Sequence, residues 1–114
     1  MNSIDESTRA SLLKELQDDL LITWEDEDTN RRLQNHITKS AAYLEELTGT
    51  SLDFSANIRA RELLLERCRY QHNSATDEFE VNFERELSRF ILKEAVNAYR
   101  KARVIDDETL SRNI

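Results

Sequence analysis

The sequence predicts an all-α fold, a small bundle of about four helices followed by an extended C-terminal tail. The 114 residues include one glycine and no proline, and compact β-sandwiches and barrels rely on these residues for their frequent turns. Apolar residues also recur at steps of three and four, which is the period of an amphipathic helix. A chain of this length is expected to form one domain around a single modest core.

The first helix is predicted from about Thr8 to Leu20, with Ser7 as its N-cap. Its apolar stripe, widened by two further leucines, comprises Leu12, Leu13, Leu16, Leu20 and Leu21.

The second helix is predicted from about Thr29 to Thr48. Its apolar positions are Leu33, Ile37, Ala41, Leu44 and Leu47. Gly49 follows directly, and glycine readily adopts the left-handed conformation that ends many helices.

The third helix is predicted from about Ser55 to His72, with Phe54 packing at its start. Its expected core contacts are Ile58, Leu64, Leu65 and Cys68. The fourth helix is predicted to begin near Asp77 and Glu80, which have the spacing of a capping box, and to run to about Arg103. We therefore expect residues 1–103 to form the helical domain.

Residues 104–114 show no helical period and are predicted to form a tail that becomes ordered on binding a partner. The apolar residues of this segment are Val104, Ile105, Leu110 and Ile114. They are too few to build a separate core. The expected role of the tail is therefore contact with another protein.

Charge is unevenly distributed along the chain. The formal net charge is -7; residues 1–53 hold 12 Asp and Glu against 5 Lys and Arg, whereas residues 54–114 hold 11 of each. Because binding to phosphates needs a basic surface, ordinary DNA binding is disfavoured. Head-to-tail copies could instead pair acidic with basic surfaces. The predicted subunit-interface residues are Asp18, Asp19, Arg59, Arg67, Arg85 and Arg89.

The same charges could also form solvated faces with local ion pairs, such as Glu66 with Arg69 and Glu86 with Arg89. For any single residue this interpretation is favoured. Within and just after the acidic run of residues 25–28, Asp26, Asp28 and Asn30 stand at alternate positions, as at the start of a calcium loop. Arg31 and Ile37, however, occupy positions where an EF-hand needs Gly and Glu. The acidic run is therefore predicted to begin the second helix, where the helix dipole favours carboxylates.

Candidate catalytic and metal-binding patterns are absent from the sequence. The single Cys68 cannot form an intramolecular disulfide or a Cys-based zinc site, and its place on an apolar stripe predicts a buried structural thiol. His36 and His72 have no metal-ligating neighbour at the required spacing on their own helices. One glycine cannot build a phosphate loop. We therefore expect a protein without catalytic residues, metal or cofactor, and not an enzyme.

The chain is expected to be soluble and made inside the cell. It has no apolar run of the roughly 18 residues that a membrane span requires. The acidic start at Asp5 and Glu6 also lacks the basic and apolar segments of a signal peptide.

Several segments occur in a recognisable order. Leu20-Leu21-Ile22 closes the first helix, the acidic run 25–28 opens the second, and Thr48-Gly49 ends it. Residues 63–70, a polar break and residues 78–83 follow. Over about residues 12–92, this order resembles the small head-tail connector proteins of tailed bacteriophages.

This resemblance implies a helical adaptor, a structural virion protein that forms a ring, typically of twelve copies, under the portal. Such a ring completes the head after DNA packaging, extends the DNA ejection channel and offers a docking platform to the stopper or tail. The implied partners are further copies of the chain, the portal protein, a stopper or tail-completion protein, and passing double-stranded DNA without sequence-specific binding. No membrane or cofactor is implied. The implied location is the head-tail interface of the virion, after synthesis in the bacterial host cytoplasm.

Within this hypothesis the tail residues Val104, Ile105, Leu110 and Ile114 are the predicted portal contacts. Two alternatives remain open. Helices two and three could form a helix-turn-helix regulator across Thr48-Gly49-Thr50, although no basic recognition surface precedes Arg59. The chain could also be a small helical protein-interaction bundle, such as an acidic inhibitor that mimics nucleic acid.

Overall fold

The computed structural model describes residues 4–112, and it describes side chains for residues 4–103. All the regular structure in this part of the chain is helical, which confirms the predicted all-α class. Five helices are described: α1 Glu6–Asp19, α2 Glu27–Thr48, α3 Ile58–His72, α4 Thr76–Asn82 and α5 Glu84–Arg112. The described residues divide into two compact units, one that holds α1 to α4 and ends at Phe83, and one that begins at Glu84 and holds α5.

Within the first unit, α2 packs against α3, α1 contacts both, and α4 packs on α3. The fully buried side chains include Leu33, Ile37 and Leu44 of α2, as the period of three and four predicted. On α3 the buried residues are Ala60, Leu63, Leu64, Leu65 and Cys68. The core of this unit is therefore the contact between α2 and α3, closed by α1 and α4.

Aspartate and asparagine side chains set the starts of the first three helices. Asp5 accepts a hydrogen bond from the Thr8 backbone N–H at 2.7 Å, so α1 begins at Glu6 and the predicted cap at Ser7 is wrong. Asn57 accepts from the Ala60 N–H at 3.1 Å and caps α3. As a result α3 begins at Ile58, later than predicted. Ile58 is exposed, and Phe54 is buried before the helix.

The helix ends show one confirmed and one wrong prediction. Gly49 closes α2 with φ of 70°, as its sequence position predicted. Leu21 also adopts a positive φ, 59°, directly after α1. Its N–H bonds the Asp18 carbonyl at 3.1 Å and the Ile22 N–H bonds the Gln17 carbonyl at 2.8 Å, which is the Schellman pattern. This geometry turns Leu21 to solvent, so its predicted place on the apolar stripe is wrong.

The predicted fourth helix is two helices separated at Phe83, which has φ of -108° and ψ of 14°. The Phe83 ring stacks on Phe79 with 4.8 Å between centroids and meets Tyr70 edge-on at 5.8 Å. These ring contacts accompany the break. No side chain caps the start of α4 after Ala75, so the predicted capping box is also wrong.

Helix α5 continues through Arg112, beyond the predicted end at Arg103. Val104, Ile105 and Leu110 therefore fall on its backbone and not on an extended tail. Their side chains and the whole of Ile114 lie outside the described residues. That a binding partner orders residues 104–114 stays a prediction. None of the described helices is long and apolar enough to cross a membrane.

Replacing Asp26 with Ala should lower the melting temperature by about 4 °C, the usual effect of losing a helix cap in a small domain. The Asp26 carboxylate accepts hydrogen bonds from the Thr29 N–H at 3.2 Å and the Thr29 hydroxyl at 2.6 Å. Asp28→Ala is the comparison and should cost less, because Asp28 lies in the first turn of α2 without being its cap and makes an exposed ion pair with Arg31 at 3.2 Å. Adding calcium should leave the melting temperature of the parent protein unchanged, and a rise of many degrees would restore the calcium-loop interpretation.

Candidate interaction surface

A concavity of about 370 Å³ lies between the start of α1 and the segment before α3. Its lining includes the carboxylates of Asp5 and Asp53. Hydrogen bonds from Thr8 lower the pKa of Asp5, and hydrogen bonds from Ser55 lower the pKa of Asp53. Both groups are therefore ionised acceptors that hold the local backbone. They are poor candidates for a catalytic acid.

Cys68 is fully buried on α3, as predicted. Burial raises the pKa of its thiol to about 11. Its Sγ lies 3.6 Å from the Ser40 Oγ, and Ser40 also accepts from the Arg67 guanidinium at 3.3 Å. A thiol with this pKa stays protonated near neutral pH and is a poor nucleophile.

The two histidines meet across the contact between α2 and α3. The rings of His36 and His72 lie 5.9 Å apart between centroids, nearly perpendicular. Both ring nitrogens of His36 and the Nδ1 of His72 are buried without a hydrogen-bond partner. Among the side chains that the structure describes, no group of three or more His, Cys, Asp or Glu could hold a metal.

We expect the stability of the protein to fall as the pH is lowered from about 7 to about 5, because His36 resists protonation. Burial is the main cause that lowers the pKa of His36. Charges on His72, Lys39 and Arg32 lower it further. The unfolded chain takes up a proton near the ordinary value of about 6.5, so the stability present above this pH is lost below it.

Urea midpoints measured across this pH range check the prediction. His36→Gln should remove the decrease, whereas His72→Gln should reduce it and leave part of it, since burial acts on His36 without His72. An unchanged pH profile in His36→Gln would show that another group is responsible.

Some of the predicted interface residues are exposed, whereas others make contacts within the subunit. Asp18 and Asp19 are exposed at the end of α1, and Arg85 and Arg89 are exposed on α5. Arg59 pairs with Glu62 of its own helix at 3.3 Å.

Arg67 is half-buried, with its guanidinium 4.1 Å from the centroid of the Tyr43 ring. It therefore serves the contact between α2 and α3, and we leave it out of the proposed interface. The predicted local pair of Glu66 and Arg69 is confirmed at 2.8 Å.

The ion pair that joins α1 to α3 was not predicted from the sequence. Arg61 of α3 binds the Glu15 carboxylate of α1 with two nitrogens, at 3.0 and 2.7 Å. It also donates to the Ser11 hydroxyl at 2.8 Å and joins α1 to α3. The partners lie 46 positions apart in sequence, so no helical spacing could reveal them.

Two exposed surfaces combine apolar side chains with charges of one sign. We call residues 18–28 the acidic loop; it holds six carboxylates and no cation, together with the exposed Leu21 and Trp24. We call the second surface the α5 stripe. It comprises the exposed residues Arg85, Arg89, Leu92, Val96, Tyr99 and Arg103.

Comparisons with known proteins add no assignment: no family model, curated protein or solved structure matches the chain. The two charged and apolar surfaces are therefore the features from which a function is argued. The resemblance of the sequence to head-tail connector proteins provides a hypothesis for what these two surfaces do.

Proposed function

We propose that the protein is a structural head-tail connector that assembles as a ring under the portal of a tailed bacteriophage. The observation that carries this proposal is the presence of two exposed surfaces of opposite charge on one chain, the acidic loop and the α5 stripe. Copies of such a chain can recognise one another through complementary charge. The order of the helices along the sequence, similar to that of the connector family, supports the same proposal.

The acidic loop also suits a protein that surrounds DNA without binding it. Its six carboxylates are exposed and no cation interrupts them. Such a surface repels the phosphates of a passing duplex, whereas a binding surface would have to release counterions from them. DNA could therefore move past this loop during ejection without being held.

The polar groups in the first unit support a role without catalysis. The Asp5 and Asp53 carboxylates hold backbone N–H groups. The Cys68 thiol is buried and protonated. These carboxylates and this thiol stabilise the fold. The proposed function needs no catalysis by them.

A regulator of the helix-turn-helix class is the weaker candidate. Residues 49–57 separate α2 from α3, whereas that motif uses a turn of about three or four residues. Arg59 and Arg61, near the start of the would-be recognition helix, face Glu62 and Glu15. A gel-shift titration with short duplexes at low salt should therefore show no tight binding.

Co-sedimentation tests the proposed function. Purified protein is added to DNA-filled heads that carry the portal of the encoding phage but lack the connector. We expect a fixed number of copies to sediment with each head and to support tail attachment. Heads without a portal are the control and should bind none. Absence of binding to portal-bearing heads would contradict the proposal.

A further inference from the structure

The α5 stripe has the spacing of a helix-packing seam. Its residues follow one another at steps of four, three, four, three and four, which keeps them on one face of the helix. Leu92 and Tyr99 at the centre are each 66% exposed. Arg85 and Arg89 lie at one end and Arg103 at the other. The seam is apolar in its middle and cationic at both ends.

This arrangement disfavours pairing of two α5 helices through the same stripe. A parallel pair would place Arg85 opposite its own copy. An antiparallel pair centred on Val96 would place Arg89 opposite Arg103. Like charges that face one another across an interface are destabilising. The partner of the stripe should therefore be apolar at its centre and acidic around it.

The acidic loop has this composition. Leu21 is 81% exposed and Trp24 is 57% exposed, and carboxylates flank them on both sides, with Asp18 and Asp19 before and residues 25–28 after. Leu21 also holds a left-handed backbone conformation, which is unfavourable for a residue with a Cβ. The Schellman bonds account for the backbone conformation of Leu21 but not for a leucine side chain at this position, because the side chain buries little surface within its own subunit. Burial against another subunit would account for it.

We propose that the α5 stripe of one copy docks on the acidic loop of a neighbouring copy, with Leu21 and Trp24 packed against Leu92, Val96 and Tyr99. The inference rests on the proposed function, because it names the subunit contact of that ring. Charge complementarity selects a second copy as the occupant: the loop carries six carboxylates, and the stripe carries three arginines. Lys93 and Arg100 lie beside the stripe, as does Glu86 near Arg85 and Arg89, so the charge on and beside the stripe stays positive.

The contact joins two different patches and is therefore heterologous. Each copy presents one loop and one stripe, so every copy can bind two neighbours in the same direction. Repetition of such a contact gives a closed ring or an open helical filament, not a two-fold dimer.

Mixing two variants tests the contact directly. Trp24→Ser disables the loop, and Tyr99→Ser combined with Arg89→Glu disables the stripe; the three side chains are exposed, so the fold should be preserved. By sedimentation velocity at low salt and high concentration, each variant alone should self-associate at least about tenfold more weakly than the parent, as loss of an interface anchor does. The mixture should form a 1:1 dimer and nothing larger, because one intact loop meets one intact stripe.

Val81→Ser is the matched control, since Val81 is 73% exposed on α4, outside both surfaces. It should assemble as the parent does.

Leu21→Gly gives a second check. Glycine adopts the left-handed conformation of residue 21 without strain, so the melting temperature should rise while assembly weakens.

Parent-like assembly by either disabled variant alone would overturn the contact, as would a mixture that remains monomeric. So would disabled variants that assemble normally and lose only portal binding, because the stripe would then serve the portal. These measurements need only the purified chain. A contact that holds without any binding to portal-bearing heads would refute the connector function and leave the docking inference standing.

Discussion

Replacing Phe79 with Ala should lower the free energy of unfolding by about 3–5 kcal/mol, the usual range for removing a buried aromatic ring. Phe79 is fully buried. Its ring lies 6.4 Å from Tyr43, 5.7 Å from Tyr70 and 4.8 Å from Phe83, between centroids. The substitution therefore removes contacts with α2, with α3 and with the break after α4. Urea unfolding followed by circular dichroism measures the loss.

Val81→Ala is the control on the same short helix. Because Val81 is exposed, its truncation should change stability by less than about 0.5 kcal/mol. Equal effects of the two substitutions would contradict the prediction, because they would show that burial of the Phe79 ring adds no stability beyond that of an exposed side chain on α4.

Raising the salt concentration from about 0.05 M to about 0.5 M should weaken assembly by about tenfold or more, because exposed charges are screened over a few ångströms at high ionic strength. The physical basis is the pairing of the acidic loop with the arginines of the α5 stripe. Sedimentation velocity of the parent protein over this range measures the change in the dissociation constant.

The control for the salt series is the thermal stability of the subunit. The buried apolar core of α2 and α3 should hold the melting temperature nearly constant over the same range. Assembly that is indifferent to salt would show that charge does not hold neighbouring copies together, and the interface would have to be apolar.

Local sequence signals were sufficient for most of the helical architecture. The spacing of Leu33, Ile37 and Leu44 predicted the buried face of α2, because a helix returns to the same side every three or four residues. Gly49 predicted the end of that helix, since a left-handed closing residue favours glycine. The exact starts were harder to predict, because Asp5 and Ser7 are both favoured cap residues and lie only two positions apart.

Features that depend on contacts between helices could not be predicted in this way. Arg61 and Glu15 meet only because α1 and α3 are packed together, and the same holds for His36 and His72. The break at Phe83 interrupts a pattern that reads as one continuous helix. Ring contacts of Phe83 with Tyr70 and Phe79 accompany the break, and local propensity does not contain such contacts.

The residues of the proposed contact also fall into two groups, those that the sequence indicated and those that only the structure reveals. Sequence charge singled out Asp18, Asp19, Arg85 and Arg89, and all four side chains are exposed. It also assigned Arg67 to the interface, although that guanidinium packs over the Tyr43 ring. The apolar part of the α5 stripe was missed because the spacing of apolar residues along a helix does not show which of them stay exposed.

Electron microscopy of the purified protein bound to portal rings is the most direct test of the connector function. The account predicts a closed ring of one uniform copy number on one face of the portal, with a central channel continuous with that of the portal. Isolated subunits scattered over the portal, open filaments, or portal rings without added density would contradict it.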